Sequence, residues 1–349
     1  MTCGKLPGID SLDDVRSLGV SSDRLFSATH EEILAGCTTD IYFVKTRDVL
    51  RKAGRLDVPV VAEVFARKKG LFAGLPEALL LFRGRDVAVH SLKEGDSFEP
   101  REVVMRLEGP YSYFGMYETV LLGILASSAG WATTARECVD AAEGKPVLCF
   151  GARHVHPAIA PVMERTAVAV GGCTAASCIL GAKLAGGEPS GTVPHAAILI
   201  MGDTVELAKV YDSVVPSGEP RIVLVDTFKD EAEESLRVAE ALGARLSGVR
   251  LDTPGERGGV TAELVREIRY RLDMAGFGHV QIVASGGLNP DRIRLLSAAG
   301  AASFGVGSYI SDAAPIDMTM DLKVIDGHPI AKRGRLPGVL ASPRLLRVQ

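Results

Sequence analysis

Apolar and polar positions change rhythm twice along the chain. From Met116 onward, short apolar runs alternate with stretches of helical periodicity. A long helix is predicted over 116–142. The runs that follow are PVLCF (146–150), AVAVG (167–171), a weaker one around HAAILI within 191–200, IVLVD (222–226), LSGVRLD (246–252), VQIVAS (280–285) and ASFGV (302–306). Helices are predicted between them over 174–185, 204–214, 229–242 and 261–275. Leu236, Ala239 and Leu242 share one face at helical spacing, and Gly243 and Gly276 stand where C-caps belong. In 280–308, Asn289-Pro290 opens a further helix as N-cap and first helical residue, and Gly300 ends it. About seven strands separated by helices imply an incomplete parallel α/β barrel of the TIM type, with a doubly wound open sheet as the alternative.

The two ends read differently. Residues 1–115 are β-rich. Their apolar runs are VPVVAEVFAR (58–67), ALLLFR (78–83), VAVHSL (87–92) and VVMRLEGPY (103–111), with Gly84-Arg85-Asp86 joining two of them like a hairpin loop. DIYFVKT (40–46) leads to a short helix over 47–53 that Gly54 stops. After residue 313 the β rhythm returns: DLKVIDGHPIAK (321–332) alternates around Asp326-Gly327, a strong hairpin signal. A lone hairpin is marginal, so it is expected to complete the N-terminal sheet. The expected organisation is a discontinuous, β-rich α+β sandwich domain (1–115 plus 314–349) around a barrel domain (116–313).

Composition narrows the class. At 349 residues the chain is long enough for two domains. A net charge of -4 gives no electrostatic case for nucleic acid. The charge-free stretch 119–135 is short of a membrane span and reads as a buried helix. Six cysteines form no Cys-x-x-Cys pair, so neither zinc nor a disulfide framework is indicated. With no signal pattern in MTCGKLPGID, a cytoplasmic protein is expected.

Chemistry in such a barrel sits at the C-terminal strand ends. Reading past each run gives Arg153 and His154, then Gly171-Gly172-Cys173-Thr174, then Thr192 and His195, then Asp226-Thr227, Arg250 with Asp252, Ser285-Gly286-Gly287, and Gly305 with Gly307. The two Gly turns read as a phosphate cradle, against the plainer view that they only make tight turns. Arg153 and Arg250 can clamp carboxylate or phosphate oxygens. Asp226 and Asp252 can hold ribose hydroxyls or a magnesium ion carrying a pyrophosphate. Together these describe a site for a phosphoribosyl donor with a metal-bound leaving group.

The motifs TTDIYF (38–43), EGPYSYFGMYETVLLGILA (108–126), FGARHVHPAI (150–159), GTVPHAAIL (191–199), LVDTFKDE (224–231), VRLDT (249–253), SGGL (285–288) and FGVGS (304–308) occur in an order and spacing that resembles the nicotinate phosphoribosyltransferases, in the type II phosphoribosyltransferase fold. The resemblance implies an enzyme of pyridine nucleotide salvage and NAD biosynthesis. It would join nicotinate to phosphoribosyl pyrophosphate as an ATP-coupled ligase, with Mg2+ as cofactor and ATP as co-substrate. It implies a phosphohistidine at His195 in Gly-Thr-x-x-His. Thr192 would contact the base, and Arg153 and Arg250 the nicotinate carboxylate and sugar phosphates. His154 stands where a second basic residue can occur. Asp252 would contact ribose or pyrophosphate. Tyr42 would stack on the pyridine ring from a neighbouring subunit, making a homodimer or larger assembly with shared sites. GGCTAAS departs from the family by lacking an acid near Thr174, and the C-terminus lacks the Cys-rich tail of some relatives, so no structural zinc is expected. Quinolinate phosphoribosyltransferase is the nearest alternative; a phosphate-binding barrel aldolase or isomerase and a nonenzymatic nucleotide sensor are the others.

Overall fold

The computed structural model describes residues 8–349. The chain first forms β1 (Pro59–Ala66), β2 (Gly70–Leu71), β3 (Ala88–Ser91), β4 (Ser97–Phe98) and β5 (Val103–Pro110). Then come β6 (Val147–Cys149), β7 (Ala175–Ala176), β8 (Arg221–Leu224), β9 (Leu246–Leu251), β10 (Gln281–Ala284) and β11 (Ser303–Val306). β12 (Met318–Ile325), β13 (His328–Pro329) and β14 (Leu346–Arg347) close the sequence of strands. Two compact units result: one runs to Ala132 and resumes at Ala314, and the other is Thr133–Ala313. The division falls within the helix Glu118–Ala141.

The first unit holds a six-stranded antiparallel sheet in the order β13-β12-β1-β5-β3-β14, with β2 and β4 as a separate pair. Asp326 and Gly327 both take positive φ (54° and 77°), the backbone a two-residue hairpin turn needs between β12 and β13. Val60, Ala62, Val64, Leu107 and Met320 enter one apolar core with Phe72, Phe82 and Phe98. The buried Glu63 carboxylate accepts from Arg106 across the β1–β5 pair (2.8 Å) and from the Leu340 amide (3.1 Å). One charge thereby ties the C-terminal segment to the sheet.

The second unit holds a parallel sheet in the order β7-β6-β11-β10-β9-β8. The last strand of the series, β11, pairs with the first, β6. The sheet therefore curls back on itself as a half-barrel and stays open between β7 and β8. Its strands are buried, apolar runs, as helix-covered parallel strands must be. Among the described residues it has six strands, not about seven. The run around HAAILI is a helix, His195–Met201, ended by Gly202 in the left-handed conformation (φ 83°). Only Ile198 of that helix is buried, so the run lacks the two-sided burial an inner strand requires.

Other apolar runs also resolve differently. AVAVG lies at the end of the helix Ala160–Ala169, and the second strand is Ala175–Ala176, within GGCTAAS rather than before it. The acid expected near Thr174 thus has no strand end to occupy. ALLLFR belongs to the helix Leu75–Leu80 and the turn after it, so Gly84-Arg85-Asp86 is no hairpin. Residues from Ile41 are already helical, in Ile41–Lys52. Short apolar runs fit either periodicity, and packing decided these cases. The predicted helices over 204–214, 229–242 and 261–275 are present as Thr204–Val214, Glu231–Leu242 and Ala262–Met274. Asn289 caps Pro290–Ala299, its Oδ1 accepting from the Arg292 amide at 2.9 Å. No helix among the described residues is long and apolar enough to cross a membrane. The five described cysteines, Cys37, Cys138, Cys149, Cys173 and Cys178, are free thiols; Cys3 lies outside the described residues.

Glu118, at the start of its helix, is mostly buried, and that burial, then the nearby Asp321 charge, pushes its pKa from 4.5 up to about 7. The native state then binds a proton that the unfolded chain has released, so stability falls as pH rises from about 4.5 to about 7 and the cost is full above that window. Glu118→Gln is expected to be more stable than the parent by about 1–2 kcal/mol at about pH 8, a figure reduced for solvent screening, and to match it near pH 4. Denaturant titrations at the two pH values check this; equal stability at about pH 8 would refute it.

Candidate active site

All six strands of the half-barrel run parallel, so their C-terminal ends and following loops share one edge. Arg250 is the second-last residue of β9, and its half-buried guanidinium is held from three sides. Nε donates to Ser285 Oγ just after β10 (2.9 Å), and Nη1 donates to Thr192 Oγ1 (2.9 Å). The guanidinium carbon stands 4.9 Å from the centre of the Phe150 ring, just after β6. The Asp252 carboxylate is 3.6 Å from Nη2. Burial lowers the Arg250 pKa, and the charges of Asp252 and Asp226 oppose that shift. Ser285 Oγ lies 2.8 Å from Asp252 Oδ1 and 3.0 Å from the Leu251 carbonyl, so its one hydrogen is shared between two acceptors.

His195 opens its helix and places Nε2 3.1 Å from Asp226 Oδ1, beyond β8. Burial raises the Asp226 pKa, against the pull of the His195 charge and hydrogen bond. Asp226 Oδ2 and Thr227 Oγ1 are buried and have no hydrogen-bond partner among the described residues. Two successive residues beyond this strand end thus each carry a buried oxygen left unpaired.

Glycine serves two different needs here. Gly286 and Gly287 take φ of 87° and 59°, a backbone that favours glycine, and they start the loop beyond Ser285. Gly305 and Gly307 have no positive φ; side chains lie against them. A Cβ at Gly305 would stand 2.6 Å from Phe150 Cδ2, and one at Gly307 2.7 Å from His154 Cε1. His154 Nδ1 is also 3.2 Å from Ser311 Oγ. The second Gly turn is therefore a seat for two rings, a reason that spacing alone did not show.

The strand-end residues named from sequence thus divide into groups. Thr192, Arg250, Asp252 and Ser285 form one bonded network, and His195 with Asp226 forms a pair. Arg153 and His154 sit on the single 3-10 turn Ala152–His154 and are exposed. Arg153 makes no side-chain bond among the described residues. Tyr42 belongs to the other unit, on the helix Ile41–Lys52, 53% exposed, with its ring tilted against that of Phe43 at 4.2 Å between centres. Sequence reasoning missed Phe150 as a site ring, although it sits inside the quoted FGARHVHPAI. It also missed Glu164, an acid among the buried Ala160, Met163 and Ala167 of its helix, and that position was the available signal. Cys138, Cys149 and Cys173 are buried, with pKa values pushed up by desolvation, so none presents a thiolate.

No group of three or more metal-ligating side chains occurs among the described residues. Asp226, with its orphaned Oδ2, and Asp252 fit magnesium of the kind held by one or two carboxylates, waters and substrate phosphates.

Asp226→Asn is expected to lower turnover about 10²- to 10³-fold without lowering the melting temperature above neutral pH. Because the Asp226 pKa is raised, stability falls as pH rises from 3.8 through the folded value, and Asn removes that loss. Rates and melting curves at about pH 8 check both halves, and a lower melting temperature there contradicts the second. Gly305→Ala is expected to tilt Phe150, loosen Arg250 and lower turnover about 10- to 100-fold in a folded protein. Full turnover in a folded variant would show that the ring yields freely.

The quinolinate phosphoribosyl transferase N-terminal domain model matches residues 40–129, and the C-terminal domain model matches 131–321. A solved nicotinate-nucleotide pyrophosphorylase from Pyrococcus furiosus is 42% identical with a TM-score of 0.86, covering 91% of this chain and 82% of that one. A nicotinate phosphoribosyltransferase of Mycobacterium tuberculosis is 30% identical, over 86% of this chain and 75% of that protein. A probable carboxylating nicotinate-nucleotide pyrophosphorylase of Methanothermobacter thermautotrophicus is 25% identical, over 76% of this chain and 88% of that protein. Relatives of both names align over most of the chain. The family models and the Pyrococcus structure correct the expectation of an ATP-coupled nicotinate phosphoribosyltransferase. Nicotinate as acceptor, ATP as co-substrate, ligase activity and a phosphohistidine at His195 fall with it. Two consecutive domain models span both units of the fold, and on that match the chain belongs to the quinolinate phosphoribosyl transferase family.

Proposed function

We propose that the chain transfers the phosphoribosyl group of phosphoribosyl pyrophosphate to quinolinate, releasing pyrophosphate and carbon dioxide and leaving nicotinate mononucleotide. The observation that carries this reading is the gathering of Arg153, Arg250, the His195–Asp226 pair and the Asp252–Ser285 pair on one edge of the half-barrel, in a chain of this family.

The bond from the anomeric carbon to pyrophosphate breaks, and the ring nitrogen of quinolinate supplies the electron pair of the new bond. The transition state is a sugar cation, so position and charge do most of the catalysis. Asp226 and Asp252 are the acids that face that developing charge and the ribose hydroxyls. His195, held by Asp226, offers a donor to the departing pyrophosphate. Magnesium, when bound at Asp226 and Asp252, would neutralise pyrophosphate oxygens. Gly286 and Gly287 offer a close backbone approach to the 5-phosphate. Arg153 and His154 face the ring carboxylates. Once the nitrogen is ribosylated, its positive charge accepts the electron pair of the adjacent carbon–carboxylate bond; carbon dioxide leaves and the ring carbon takes a proton from water. The free thiols suit a reducing, cytoplasmic setting for this reaction.

Quinolinate labelled in the lost carboxylate, with magnesium and phosphoribosyl pyrophosphate, is expected to yield labelled carbon dioxide, pyrophosphate and nicotinate mononucleotide in equal amounts. ATP is expected to leave the rate unchanged. Nicotinate run in parallel is expected to react at least about tenfold less efficiently. Product from nicotinate and not quinolinate, or a rate that depends on ATP, would overturn the reading.

A further inference from the structure

Glu164 is a carboxylate in the wrong place for a carboxylate. It lies on the helix Ala160–Ala169, is 0% exposed, and has no ion-pair partner among the described residues. Three neutral donors surround it. Oε1 accepts from the Ala152 amide (3.0 Å) and the Ser177 hydroxyl (2.9 Å), and Oε2 accepts from the Cys178 amide (2.6 Å). Ala152 starts the turn that follows β6, and Ser177-Cys178 follow β7. One buried anion therefore holds the loops of two neighbouring strands at the edge where the site lies.

Burying a charge without a counter-charge is costly beside an apolar side chain of similar volume. Its three donors offset that cost only while both loops keep their places, so the arrangement trades stability for geometry. Both oxygens must accept, which a glutamine amide cannot do, because its NH2 would face one of the donors. The Ala152–His154 turn has no side-chain cap of its own. Its other ties are His154 N to the Gly151 carbonyl (3.0 Å) and the His154 ring to Ser311 (3.2 Å), and neither engages the Arg153 guanidinium. Arg153 stands on this turn, exposed and without a bonded partner.

We propose that Glu164 is a positioning residue: it acts through the Ala152–His154 turn to aim Arg153 at a carboxylate of the pyridine acceptor. This rests on the phosphoribosyl-transfer reading given above. Glu164 is fully buried, so it orders the loop through the Ala152 amide and does not itself touch the acceptor.

A double-variant cycle with Arg153→Gln tests it, read on the KM of the pyridine acid the wild type turns over, quinolinate first and nicotinate second. Glu164→Gln is expected to raise acceptor KM about tenfold, with kcat and the KM for phosphoribosyl pyrophosphate changed less than about threefold. In the Arg153→Gln background the same change is expected to add nothing, because the group it positions is gone. Ser177→Ala removes a donor from the other loop and is expected to move acceptor KM less than about threefold. Should Glu164→Gln fail to fold, Glu164→Asp, which keeps the charge but shortens the reach, goes through the same cycle. Factors that multiply, or a rise in the KM for phosphoribosyl pyrophosphate instead, overturn the positioning role while the transfer reading stands. No turnover of either acid by the wild type overturns the transfer reading and this proposal with it.

Discussion

The pairing of β11 with β6 is the constraint on which the second unit depends. It joins the last parallel strand to the first and so curls the sheet into a half-barrel. Without it, β6 and β7 would have no bonded link to the other four strands of the sheet. With it, Phe150 after β6 lies against Gly305 in β11, and His154 lies against Gly307. Arg250, on β9 three strands from β6, reaches the same Phe150 ring. A site that gathers groups from residues 150 to 307 needs this closure before any of its chemistry can act.

Around that closure, buried charge is handled in different ways. Asp226 has a histidine partner and one orphaned oxygen, and its pKa is raised by burial. Arg250 loses part of its proton affinity to burial and is held by hydroxyls and a ring face. Glu164 has neutral donors only. None of these is the cheapest way to fill the space, since apolar residues would cost less desolvation. Each joins residues from separate segments near the strand ends, where a fold can keep groups that do not stabilise it.

The sequence motifs located a superfamily and chose the wrong branch of it. Gly-Thr-x-x-His suggested a phosphorylated histidine, yet relatives of both names share alignments that cover most of the chain. Phosphoribosyl pyrophosphate asks the same things of either branch: acids near the ribose, basic groups for phosphates and glycine-lined turns. Which groups face the acceptor is a matter of spatial convergence. A residue type at a strand end does not report it.

Local signals were enough for some elements. Asn289, Pro290 and Gly300 bound one helix, Asp326-Gly327 made its turn, and the amphipathic stretches after residues 203, 230 and 261 became helices, because caps and periodicity act within a few residues of one another. The alternating middle of the chain also implied a parallel α/β layer. Short apolar runs were not decided locally: AVAVG, ALLLFR and HAAILI fit a buried strand or a helix equally, and their neighbours in space made them helical. The strand count of six, the opening between β7 and β8, the rings behind Gly305 and Gly307, and the clip at Glu164 all join residues distant in sequence. Sequence alone determined which residue types were available for anion chemistry; only the tertiary structure decided which of them meet, because pairing and packing between distant segments leave no period or cap in the chain.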